Sequence, residues 1–312
     1  MRNKIYVILS VVALLLTFSV PIFAQEIKAS QSTIKTLTVT VEMEGKANIP
    51  FLDEKDFLVS ENGQRQEVIS AVAASSGNAP LNLAIVIEEG LPQINREINA
   101  LKEFVKGLPT GSQVMIAYVQ NGRLAVQQPF TSSLTEASEK FRVVPTLMGN
   151  YTSPYWGLVE SMKMFNGFRE GRNEVLFISK GLDPFYGSNS NPSANPAIEQ
   201  AIAIAERENI TVFALYSPRA DQLSSVGGRR RFLTVQGQNA LIYMAERTGG
   251  EAFIGADGYV TFDAPLKEFG KLLDQQYLIT YRSSMQTGKY RSIKVKTDYS
   301  NVKIRTVKGY NF

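Results

Sequence analysis

Leu83-Ala84-Ile85-Val86-Ile87 is an unbroken apolar run that passes at once into Glu88-Glu89-Gly90-Leu91-Pro92. Five consecutive apolar residues, stopped by charge, glycine and proline, predict a strand buried on both faces, as in a parallel sheet covered by helices. Ile94, Ile98, Leu101 and Val105 then recur at helical spacing. The alternation continues downstream, with strands predicted at 114–119, 124–127, 174–179 and 210–216. Between and after them, helices are predicted at 134–141, 153–165, 197–208, 238–248 and 262–273. Such alternation predicts the α/β class: a doubly wound, mostly parallel sheet with helices on both faces.

Both flanks of this region read differently. Upstream, Leu37 to Val41 alternates, Phe57 to Ser60 follows, and Asn62-Gly63 marks a hairpin turn before a second alternating run from Gln66 to Val72. Ser75-Ser76-Gly77-Asn78-Ala79-Pro80 is a polar break. Downstream, strands are predicted at 276–281, 290–296 and 302–307. The expected organisation is a β segment at 36–75, an α/β domain at 80–282, and strands at 283–310 that pack with the first segment into one small β subdomain.

The 312 residues contain no His and no Cys. That excludes Ser-His-Asp hydrolases, thiol enzymes and zinc sites, and leaves carboxylate, lysine or tyrosine chemistry, oxygen-ligated Mg²⁺ or Ca²⁺, and binding without chemistry. Arg2 and Lys4, an apolar run from Ile5 to Val20 and a small residue at Ala24 predict a signal peptide over 1–24, hence a secreted, periplasmic or cell-envelope protein. A membrane contact is expected only if that segment stays uncleaved. With 33 basic against 29 acidic residues, the charge balance gives no reason to expect nucleic acid as a partner.

From about residue 38 to 310 the sequence resembles the von Willebrand factor A domain family, in the secreted bacterial version that carries a β segment on either side. The resemblance rests on Phe51-Leu52-Asp53-Glu54-Lys55-Asp56-Phe57-Leu58-Val59-Ser60-Glu61-Asn62-Gly63-Gln64-Arg65-Gln66 upstream, and on Gln275-Gln276-Tyr277-Leu278-Ile279-Thr280-Tyr281-Arg282 and Lys308-Gly309-Tyr310 downstream. It implies an A-type fold and a partner-binding face at the carboxyl edge of the sheet. Such domains hold a divalent cation there, at the metal-ion-dependent adhesion site, through Asp-x-Ser-x-Ser after the first strand, a Thr in a following loop, and a later Asp.

Position by position, Glu88 stands at the first Asp, Gly90 and Pro92 stand at both Ser positions, Thr152 is retained, and Lys180 replaces the later Asp. A lysine puts positive charge where an anionic ligand belongs. The resemblance therefore implies the fold and a degenerate, metal-free adhesion site with no cofactor. Two readings of Lys180 stay open: an ammonium standing among Glu88, Glu89 and Asp183 in place of the cation, or a loop-tip lysine pointing, like Glu89, into water. Mg²⁺ or Ca²⁺ held by Glu88, Glu89 and Asp183 in a new arrangement is the alternative, and would make the chain a cation-dependent adhesion module.

The loop after the first α/β strand has neither G-x-G-x-x-G nor a P-loop, and its two carboxylates would repel phosphate. Glu88 and Glu89, adjacent on an extended chain, point to opposite faces and make a poor acid/base pair. Gly227-Gly228-Arg229-Arg230-Arg231 is expected in a long loop, either solvated or set against an anionic partner or membrane surface. Tyr151, Tyr155, Trp156, Phe185 and Tyr186 are expected at the same sheet edge, with Tyr155 or Trp156 in the core. No acid, base and nucleophile converge, so the expected function is non-catalytic binding of a protein partner whose identity the residues do not give.

Overall fold

The protein is described as a computed structural model covering residues 33–43, 51–143, 152–168, 170–187, 191–218, 228–255, 261–284 and 290–310. The expected signal segment, Tyr151 and Gly227 lie outside the described residues.

The apolar run at 83–87 forms the centre of a six-stranded sheet. Its strands are β4 (Leu81–Glu88), β5 (Gln113–Gln120), β6 (Arg123–Thr131), β7 (Arg172–Ser179), β8 (Ile210–Tyr216) and β9 (Ala252–Phe253), in the order β6-β5-β4-β7-β8-β9. All pair in parallel except β6, which returns antiparallel to β5 through Asn121-Gly122. Reversal of strand order on either side of β4 is the doubly wound pattern.

Helices α1 (Ile94–Lys106), α2 (Leu134–Ser138), α3 (Pro154–Lys163), α4 (Pro196–Glu208), α5 (Gly228–Thr248) and α6 (Asp263–Asp274) cover it. Leu83, Ile85 and Ile87 pack with Leu101, Val105 and Phe269 of α1 and α6. Ala84 and Val86 pack with Leu158, Ala201 and Leu241 of α3, α4 and α5. Every residue of β4 is buried, which is why it reads as continuous rather than alternating.

The flanks form a second, wholly antiparallel sheet. It contains β1 (Thr33–Met43), β2 (Phe57–Glu61), β3 (Gln64–Ala73), β10 (Gln276–Ser283), β11 (Arg291–Thr297), β12 (Val302–Arg305) and β13 (Gly309–Tyr310), in the order β12-β1-β10-β3-β2-β11-β13. The boundary expected at 282 must move: β10 lies between β1 and β3 and belongs with the flanks. Its alternating pattern fits an antiparallel sheet covered on one face, and it starts directly after α6.

Glu61, fully buried, anchors this sheet by accepting from the Tyr281 hydroxyl at 2.7 Å, the Tyr310 hydroxyl, Ser283 Oγ at 2.8 Å and Arg291 Nη1 at 3.4 Å. Arg172 ties the two sheets, donating to the carbonyl oxygens of Ala79 at 3.1 Å and Leu273 at 2.7 Å and to Gln276 Oε1 at 2.6 Å.

A second correction concerns the arginine run. Residues 228–231 open α5, ten residues before the helix start expected at 238, rather than lying in a loop. The upstream part of α5 buries Thr234, Gln236 and Gly237, so no apolar period marks it in the sequence.

Candidate functional site

Parallel strands β4 and β7 end side by side, and their carboxyl edge is where an open α/β sheet binds ligands. Glu88 closes β4 and is buried. Its Oε2 accepts from Ser179 Oγ at 2.6 Å and from the Lys180 amide at 3.1 Å, and its Oε1 forms an ion pair with the Lys180 ammonium. Lys180 is itself only 4% exposed. Ser179 Oγ in turn accepts from the Gly181 amide at 2.9 Å, so one short segment after β7 wraps the Glu88 carboxylate.

Neither Lys180 nor Glu89 points into water. The Glu89 side chain accepts from Arg142 Nη2 at 2.7 Å and from Gln120 Nε2. The Arg142 guanidinium also lies 4.6 Å from the Tyr118 ring centre and donates to Gln127 Oε1 at 3.2 Å. Burial pushes the Tyr118 hydroxyl above its ordinary range. Glu88 and Glu89 thus serve separate polar clusters, as adjacent residues leaving a strand must.

Asp183 is buried a little further along the same loop. Its Oδ2 accepts from Ser153 Oγ at 2.5 Å and Asn195 Nδ2 at 2.9 Å, and its Oδ1 accepts from the amides of Phe185 at 3.0 Å and Tyr186 at 3.3 Å. Asn195 caps α4 through the Ala197 and Ile198 amides, and Ser153 stands at the start of α3. One carboxylate therefore fixes a loop and two helix starts.

Thr152, half-buried, sits against the β5–β6 hairpin turn, where a Cβ on Gly122 would meet its own Cβ at 3.0 Å. Gly90 holds φ at +80°, in the left-handed region. A serine there would cost about 1–2 kcal/mol in backbone conformation alone. Pro92 is half-buried in the turn that leads to α1.

Tyr155 is the core residue of its pair: it is fully buried and donates to the Gly181 carbonyl at 2.7 Å, while Trp156 is 36% exposed. Burial, with the Asp183 charge second, drives the Tyr155 hydroxyl far above the ordinary phenol range. Phe185 and Tyr186 stand exposed at the loop tip.

The sequence reading missed Ser179, Ser153, Asn195 and Arg142. Ser153-Pro154 and Asn195-Pro196 carry a readable signal, a capping residue before a first-turn proline. Arg142 carries none.

No family model matches the sequence, and neither does any curated protein. Solved structures do. The likeness is to von Willebrand factor A domains. The vWF domain of the type V pili tip protein Mfa5 from Porphyromonas gingivalis is 12% identical, covers 71% of this chain and 99% of its own, and has a TM-score of 0.46. The conserved hypothetical protein BatB from Bacteroides thetaiotaomicron is 14% identical, with coverage of 62% and 98% and a TM-score of 0.43. A von Willebrand factor type A protein from Catenulispora acidiphila is 9% identical, with coverage of 90% and 75% and a TM-score of 0.43. The doubly wound order itself stands on the strand pairing described above.

Proposed function

We propose that this chain is an exported, non-catalytic protein-binding or scaffolding module of the von Willebrand A type. It docks its partner on the loop face at the carboxyl edge, and its adhesion-site positions, Glu88, Gly90, Pro92, Thr152 and Lys180, hold no metal. The observation that carries this reading is the buried Lys180–Glu88 pair. The ammonium already neutralises the carboxylate that would be the first ligand, and a divalent cation beside it would face a fixed like charge.

Two further facts support it. Gly90 has a backbone conformation unsuited to serine, and, among the described residues, no three acidic side chains converge on a point where a metal could sit. Glu89 and Asp183, the other candidate ligands, are engaged with Arg142 and with Ser153 and Asn195. The carboxylates of Glu88, Glu89 and Asp183 are thus already used in holding loops. Among the described residues no helix is long and apolar enough to cross a membrane.

The test has two arms. Melting of the protein in EDTA and then in excess Mg²⁺, Mn²⁺ or Ca²⁺ at matched ionic strength should give the same midpoint. A cation at about 100 times its Kd would instead add about 2.7 kcal/mol. A photo-crosslinking residue at Trp156, on the proposed face, should capture a discrete partner in cells producing the protein, while one at the exposed Ile34 of β1 should not. Equal capture from both positions, or from neither, would defeat the reading.

A further inference from the structure

Helices α1 and α6 lie side by side over Leu83, Ile85 and Ile87, in contact through the Phe104 and Phe269 rings at 5.4 Å between centres. Between them opens a groove of about 620 Å³. Its wall is mostly apolar, with Ala100, Phe104 and Leu108 from α1 and the turn that ends it, and Leu266, Gly270 and Leu273 from α6. Spacings of three and four residues make each set one stripe along its helix. From Asp263 to Asp274 the groove runs about 16 Å at the helical rise. It takes the later part of α1 and ends where Pro109 leads to β5, so it lies away from the carboxyl edge that carries Glu88 and Lys180.

The fold does not require glycine at position 270. Its backbone is helical, and a Cβ there would meet only Phe104 Cε2, at 3.8 Å, which is ordinary contact. Glycine in a helix interior is less favourable than alanine. What the missing side chain does is leave the groove open at its middle.

The groove's charges sit at its ends. Asp263 and Asp274 are both exposed and stand eleven residues apart on α6. Eleven residues are close to three full turns, so both carboxylates leave the same side of the helix. Neither carboxylate has a hydrogen-bond or ion-pair partner among the described residues. The buried Arg172 guanidinium, already bonded to two carbonyls and to Gln276, reaches Asp274 only through its field. Asp274 also lies in the last turn of α6, where a negative charge opposes the helix dipole. Glu103 adds a third carboxylate from α1, shared with Lys106 at 3.1 Å, and Lys267 is the one ammonium of the groove wall.

We propose that this groove docks an amphipathic helix of a partner protein, about three turns long, whose apolar stripe lies against Phe104 and Gly270 and whose Lys or Arg side chains at either end reach Asp263 and Asp274. The volume alone would also suit a small ligand. The groove, however, is open to solvent along its length and carries its charges at opposite ends instead of converging on one point, a form that matches a rod of secondary structure. A partner with acidic flanks would meet three carboxylates. This is a second face, and the inference stands apart from the reading of the carboxyl edge.

The probe is a fluorescein-labelled peptide of about four turns, with leucines on one helical face and lysines on the other, titrated with the full chain and read by anisotropy. Binding should saturate, weaken as salt rises, and fall by on the order of tenfold or more when every lysine of the peptide is replaced by glutamate. Gly270→Leu fills the groove and should weaken binding by on the order of tenfold or more. Leucine is the better helix former, so this variant should melt no lower than the wild type. Gly270→Ala should melt higher and weaken binding less. Asp263→Asn/Asp274→Asn should weaken binding and flatten its salt dependence.

Peptide binding indifferent to Gly270→Leu, equal binding of the glutamate peptide, or no saturable binding would each overturn the proposal. A Gly270→Ala protein that melts lower would do the same, by showing that the fold itself needs the glycine. Crosslinking from Trp156 reads the carboxyl edge alone, so the groove and that edge stand or fall separately.

Discussion

Gly181 and Gly237 cross so closely that a Cβ on Gly181 would lie 2.1 Å from the Gly237 carbonyl oxygen, and a Cβ on Gly237 would lie 2.1 Å from the Lys180 carbonyl oxygen. Backbone meets backbone here, so nothing can rotate aside to admit a methyl group. Gly181 also holds φ at +71°. The crossing holds α5 directly against the loop that carries Lys180.

Gly181→Ala combines the left-handed penalty with overpacking against backbone, and should lower unfolding stability in urea by about 2–4 kcal/mol. A loss below about 1 kcal/mol would mean that loop and helix separate easily and that the crossing does not position Lys180.

Removing one partner of a buried ion pair costs more than the pair contributes, because the remaining charge stays desolvated. Lys180→Met should therefore lose about 3–5 kcal/mol. The double variant Lys180→Met/Glu88→Gln, which keeps an acceptor for Ser179 and the Lys180 amide, should recover at least half of that loss. Denaturant melts of the four proteins complete the cycle, and additive losses would show the two residues to be uncoupled.

Burial pushes the Glu174 carboxyl up to about 8, with the Arg172 guanidinium opposing it. The folded protein then keeps a proton that the unfolded chain releases at its ordinary value of 4.5. Stability from this group is fully present below that ordinary value. It falls as pH rises towards 8, by up to about 1.4 kcal/mol per pH unit. Glu174→Gln should flatten the decline and should melt higher than the wild type at the alkaline end of the window. Parallel melting curves for the two proteins across that range would refute the assignment.

Glu61 gathers two tyrosine hydroxyls, Ser283 and Arg291 in the antiparallel sheet. Burial is the largest reason that the Tyr281 and Tyr310 hydroxyls titrate far above the ordinary phenol range. Glu61→Gln keeps the shape but removes the charge opposite Arg291, and should lower stability by about 1.5–3 kcal/mol, the range for hydrogen bonds to a charged group. Tyr310→Phe should lose about 1 kcal/mol. Thermal melts check both, and a larger effect at Tyr310 than at Glu61 would place the centre of the network elsewhere.

The doubly wound layer was legible because β4 is covered on both faces, which writes an uninterrupted apolar run into 83–87. The place of β10 was not legible, because Gln276 to Ser283 alternates in the same way whichever antiparallel neighbour it finds. The first turns of α5 were hidden because they bury Thr234, Gln236 and Gly237 instead of apolar side chains. At the site, family register brought Glu88 and Lys180 to one edge in advance. Their pairing, and the diversion of Glu89 to Arg142 across 53 residues of sequence, depend on how loops fold back and leave no local trace.

The ladder that joins Ala73 of β3 to Tyr277 of β10 places the entry and exit of the whole α/β layer on neighbouring strands. Tension applied between Thr33 and Tyr310 would be carried by the hydrogen-bond ladders of the antiparallel sheet and bypass the layer inserted between β3 and β10. Mechanically, the sheet is a chassis and the α/β layer its unloaded passenger. The geometry at Lys180, Asp183 and the end of α5 would then stay the same whether the chain hangs slack or is pulled.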